Sequence, residues 1–90
     1  MTGRHVLFEG RVQGVGFRWT VKNLACGYDV TGWVKNLPDG RVEMQASGES
    51  EEVDAFIEAI RESDLKSHIR KVDVHVIPPL AGARGFDISH

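Results

Sequence analysis

Only one cysteine, Cys26, stands in the whole chain, so no intramolecular disulfide can form. Cationic residues are in no excess: 11 Lys and Arg against 13 Asp and Glu give a formal net charge of -2. That balance argues against a general nucleic-acid binder, whose affinity comes mainly from neutralising phosphates with many Lys and Arg. No apolar run approaches the roughly 18 residues that a membrane span needs. No basic segment followed by an apolar one stands at the amino end, so a cytoplasmic protein without a membrane partner is expected. The histidines His5, His68, His75 and His90 lack ligand spacing such as H-x-x-x-H and have no cysteine pair nearby, so no metal is expected; they read as strand, loop and tail residues. There is no internal repeat, low-complexity tract or linker. What remains is a chain of 90 residues, 41% hydrophobic and 27% charged, which reads as one domain spanning residues 1–90 that folds without staples.

Periodicity supplies the elements. Arg4 to Glu9 puts Val6 and Phe8 on one face and His5, Leu7 and Glu9 on the other, as a strand does. Phe17, Val21, Leu24 and Ala25 fall on one face of a helix that lapses near Gly27. Val30 to Asn36 and Arg41 to Ser47 each alternate, and Leu37-Pro38-Asp39-Gly40 between them is turn chemistry, which predicts a hairpin. Ser50 reads as the N-cap of a second helix whose stripe is Val53, Phe56, Ile57 and Ile60, fading near Ser63. Asp64 to His68 is a polar connection. Val72, Val74 and Val76 then alternate with Lys71, Asp73 and His75 until Pro78-Pro79 ends the strand. Phe86 and Ile88 can add a short last one.

The order β-α-β-β-α-β predicts a ferredoxin-like α/β sandwich, an antiparallel sheet with both helices on one face. In that topology the first two strands run parallel. The residues that follow the first strand and Asn36 at the end of the second therefore share one edge of the sheet.

The stretch after the first strand is Gly10-Arg11-Val12-Gln13-Gly14-Val15-Gly16-Phe17-Arg18. Glycines at 10, 14 and 16 allow positive φ, so that backbone N–H groups can turn toward one point, and a helix N-terminus adds partial positive charge there. Arg18 brings a planar fork suited to two phosphate oxygens. The other reading is a glycine-rich turn with an arginine on the first helical turn. A nucleotide P-loop is excluded, because its Lys-Ser/Thr pair is missing.

This run, followed by Gly32-Trp33-Val34-Lys35-Asn36 and Asp39-Gly40-Arg41-Val42-Glu43, closely resembles the acylphosphatase family, and the likeness extends to Phe86-Asp87-Ile88. The resemblance implies a metal-free hydrolase of carboxyl-phosphate anhydrides that needs no cofactor. It assigns phosphate binding to the loop Gln13, Gly14, Val15, Gly16, Phe17 and Arg18. It makes Arg18 the phosphate-binding arginine and Asn36 the residue that holds the attacking water. The expected small molecules are an acyl phosphate and inorganic phosphate, as product or inhibitor, with the protein a monomer. Two other readings are an acylphosphatase-like module that binds an anion without turnover, and a single-stranded RNA binder of the same element order. The second lacks the stacking Phe or Tyr expected within Arg41 to Ser47.

Asp29 departs from the family pattern, standing where a left-handed glycine is common, and Asp64 to His68 replaces a Gly-Pro step. Trp19 and Trp33 read as packing residues rather than substrate platforms. Cys26 reads as buried or half-buried.

Overall fold

Alternating apolar residues build the sheet. In β1, Thr2–Gly10, Val6 and Phe8 are fully buried while His5, Leu7 and Glu9 lie half-buried on the other face. The computed structural model, which describes residues 1–80, 82 and 84–89, continues with α1, Phe17–Ala25, and β2, Val30–Asn36. Next come β3, Val42–Gly48, and α2, Ser50–Glu62. A 3-10 helix at Asp64–His68 leads into β4, Ile69–Ile77, and β5, Phe86–Ile88, closes the order. His90 lies outside the described residues.

The sheet order is β4-β1-β3-β2-β5. β1 runs antiparallel to both β3 and β4, and β2 antiparallel to β3, so β1 and β2 are parallel with β3 between them. Val6 pairs with Met44, and Met44 with Val34, which puts these three buried side chains in one row on one face. Phe17, Val21 and Ala25 of α1 join the same core cluster as Val53, Phe56, Ile57 and Ile60 of α2. Both helices therefore cover that face, and the chain has the expected ferredoxin-like architecture. The opposite face of the central strands carries His5, Leu7, Glu43 and Gln45, with His5 Nε2 at 2.7 Å from Glu43 Oε2.

Several details depart from the expectations. The sheet is mixed rather than wholly antiparallel, because β5 pairs in parallel with β2 through Gly32–Phe86, Trp33–Asp87 and Val34–Ile88. The reason is directional: β4 runs against β2, so a chain that leaves β4 and turns back runs with β2. Ser50 is the first helical residue, not the cap; Glu49 holds the cap position, with no side-chain cap bond. Asp64–His68 is not merely a polar connection, since it winds into a 3-10 helix whose Leu65 is buried and whose N–H donates to Ser63 Oγ. β4 starts earlier than its valine alternation suggested, and at this sheet edge Val74 and Val76 are exposed. Asp29 avoids the left-handed cost, because no described non-glycine residue has a positive φ; its N–H donates to Glu52 Oε1. Cys26 is exposed, not buried. No helix among the described residues is long and apolar enough to cross a membrane.

Candidate active site

The loop between β1 and α1 is fixed at its entry by contact between backbones. Gly10 has φ 134°, and a Cβ there would lie 2.2 Å from the His68 carbonyl oxygen. Arg11 N–H donates to that same oxygen at 2.9 Å. Only glycine permits so close an approach. Val12, fully buried, and Phe17, whose ring meets Phe8 at 5.0 Å between centroids, anchor the two ends of the loop in the core.

Gly14 and Gly16, both exposed, take φ of 78° and 75°. Gly16 is left-handed and serves as the N-cap of α1, and its carbonyl accepts the first helical bond from Thr20 N–H at 3.0 Å. A glycine cannot cap with a side chain, and the first turn holds no acidic residue. The N–H groups of that turn have no intrahelical partners, and the helix end carries roughly half a positive charge. This is a place for an anion.

A cavity of about 220 Å³ opens at this end. Gly14, Gly16, Phe17 and Arg18 line it from the loop and helix, and Asn36 lines it from the end of β2. Arg18 is half-buried. Asn36 Oδ1 is buried and accepts no hydrogen bond among the described residues. A buried amide oxygen without a donor is costly, by about 1–3 kcal/mol, and here it sits on a cavity wall where a bound molecule can donate to it. Two residues far apart in sequence thus meet as the strand order requires.

The remaining loop residues divide by role. Gln13 turns away from the cavity: its Nε2 donates to the Leu37 carbonyl at 2.7 Å and to the Arg41 carbonyl at 3.0 Å. That ties the loop to the β2–β3 turn directly beside Asn36. The turn is itself closed by Leu37 N–H to Arg41 O and by Gly40 N–H to Leu37 O. Asp39 Oδ1 accepts from Arg41 N–H, and this bond above all holds the exposed Asp39 carboxyl below its ordinary pKa, with the Arg41 guanidinium adding to it. Val15 is 38% exposed and points outward.

Trp19 is not a packing residue. It is 65% exposed and lines the cavity beside Arg18, with Ile88 of β5 also on its wall. The stripe Phe17, Val21, Ala25 already placed Trp19 on the opposite side of α1, since two residues turn a helix by about 200°. Ile88 carried no such signal, because only the β2–β5 pairing brings it here. Trp33 lies half-buried with Lys35 Nζ 5.4 Å from its ring centroid.

Comparison with known proteins agrees with this geometry. The sequence model of the acylphosphatase family matches residues 4–88. The chain is 44% identical over 86 residues to an acylphosphatase of Bacillus velezensis, covering 96% of each chain. The crystal structure of acylphosphatase from Bacillus subtilis superimposes with a TM-score of 0.91 at 37% identity, covering 100% of both chains. An acylphosphatase from Coxiella burnetii follows with a TM-score of 0.86 at 34% identity, covering 98% of this chain and 92% of that one. A glycine-bound loop, an uncapped helix end, Arg18 and a buried amide oxygen on one cavity are therefore features of a chain that belongs to the acylphosphatase family.

Proposed function

We propose that this protein hydrolyses acyl phosphates to a carboxylate and orthophosphate, as one domain, monomeric and cytoplasmic, without metal or cofactor. The observation that carries the reading is Asn36 Oδ1, a buried acceptor without a donor on the wall of the cavity that Arg18 and the α1 N-terminus also line.

The phosphoryl group sits against the N–H groups of the loop and of the first turn of α1, with the Arg18 guanidinium across two of its oxygens. Phosphoryl transfer asks mainly for positioning and for compensation of charge on the equatorial oxygens, and these groups give both. Asn36 accepts a hydrogen bond from the attacking water through Oδ1, and its amide is free in type to donate toward a phosphate oxygen. The water oxygen bonds to phosphorus as the bond from phosphorus to the acyl oxygen breaks. The electron pair leaves with the carboxylate, and the water's proton passes to a phosphate oxygen. A carboxylate with a conjugate-acid pKa of about 4 leaves readily, so neither a metal nor a strong general acid is needed at that oxygen.

The test is hydrolysis of benzoyl phosphate by the chelator-treated protein, with inorganic phosphate as competitor. Turnover that survives the chelator and is inhibited by phosphate is expected. Phosphate binding without turnover would instead identify an anion-binding module.

A further inference from the structure

We infer that Trp19 forms a platform for the acyl part of the substrate, and that this protein prefers acyl phosphates carrying a flat apolar group; the inference rests on the hydrolase reading above. Trp19 is a large ring left 65% exposed, on the face of α1 opposite the buried Phe17 and Val21. It immediately follows Arg18 and lines the same cavity.

The phosphoryl group consumes the charged part of the site, namely Arg18 and the helix N-terminus. In-line attack puts the water and the leaving carboxylate on opposite sides of phosphorus. Asn36 reaches the cavity from the sheet, so the acyl group departs toward the helix side, where Trp19 stands. An aromatic ring presents a broad apolar face at low conformational cost, and stacking of a second flat group on it adds to affinity. Acetyl phosphate is too small to cover that face, whereas benzoyl phosphate is not.

Steady-state hydrolysis of benzoyl and acetyl phosphate by the wild type, Trp19→Ala and Trp19→Phe tests this. In Trp19→Ala the ratio of kcat/KM for benzoyl to that for acetyl phosphate should fall about 10-fold, through KM for the benzoyl compound. Trp19→Phe should recover most of that ratio, and inorganic phosphate should compete as well with the variants as with the wild type. An unchanged ratio overturns the platform while leaving the hydrolase reading intact. A fall matched by weaker phosphate competition overturns it too, since the phosphate cradle was then disturbed. Wild-type protein that hydrolyses neither compound overturns the hydrolase reading and the platform with it.

Discussion

Gln13 spends both hydrogens of its side-chain amide on Leu37 and Arg41, 2.7 and 3.0 Å away, so the glycine loop that lines the cavity and the turn that follows Asn36 are joined by one side chain. The bond to Leu37 falls on the residue after Asn36. Gln13 thereby adds a direct tether between two halves that the strand order already brings to one edge of the sheet.

Gln13→Ala should therefore act at a distance. It removes two part-buried bonds and leaves the carbonyls their own turn partners, so the expected loss of stability is about 1–2 kcal/mol. Turnover of benzoyl phosphate should fall about 10-fold or more, because small misplacements of positioned groups are expensive in rate. Urea unfolding and steady-state kinetics on the same variant check both. Wild-type turnover in a destabilised Gln13→Ala protein would show that the tether serves folding only.

Arg18 and Asn36 should separate in their kinetics. Arg18→Lys replaces a planar fork with a point charge, and KM should rise while kcat falls. On the proposed mechanism Asn36→Ala removes the group that holds the water, so kcat should fall by about 100-fold or more with phosphate competition retained. Loss of phosphate competition in Asn36→Ala with kcat intact would reverse the two assignments.

The glycines at the loop's ends should differ in cost, for different reasons. A Cβ at Gly16 meets nothing within 4 Å, so Gly16→Ala bears only the left-handed backbone penalty of roughly 1–2 kcal/mol. At Gly10 a Cβ would run into the His68 carbonyl, and backbone has to move. Gly10→Ala should be the more destabilised of the two by denaturant unfolding; equal midpoints would contradict the close approach.

Acid should loosen the β2–β3 turn. The folded-state pKa of Asp39 lies below its ordinary value, mainly through the bond from Arg41 N–H. Its contribution is therefore complete above the ordinary carboxylate pKa of about 4 and is lost as pH falls through the lower folded value. Near neutrality nothing changes. The Asp39 carboxyl and Arg41 amide resonances should titrate together below the ordinary range, and Asp39→Asn should abolish that acid response of the amide. A midpoint at or above the ordinary value would rule out the bond.

The period-two and helical stripes of Val6, Phe8, Phe17, Val21, Phe56 and Ile60 were legible in the chain, because burial of one face imposes its spacing on the residues that form it. So were the glycine run, Arg18 and Asn36, whose meeting follows from the parallel relation of β1 and β2. The ends of elements were less legible. Ser50 had the chemistry of a cap yet became the first helical residue, and Leu65 in a polar stretch gave little sign of the 3-10 turn that buries it.

The sequence by itself determined which residues enter the core, the order of elements and the identity of the charged groups at the site. All of these are set by side-chain type and local spacing. Tertiary structure decided what those groups face. The parallel pairing of β5 put Ile88 on the cavity, and Gln13 came to tie the loop to the hairpin turn. The exposure of Trp19 turned a presumed packing ring into part of the rim. The first two depend on segments distant in the chain coming within contact, and no local pattern carries that distance; only the third was foreshadowed locally, by the stripe of α1 that put Trp19 on the side away from the core.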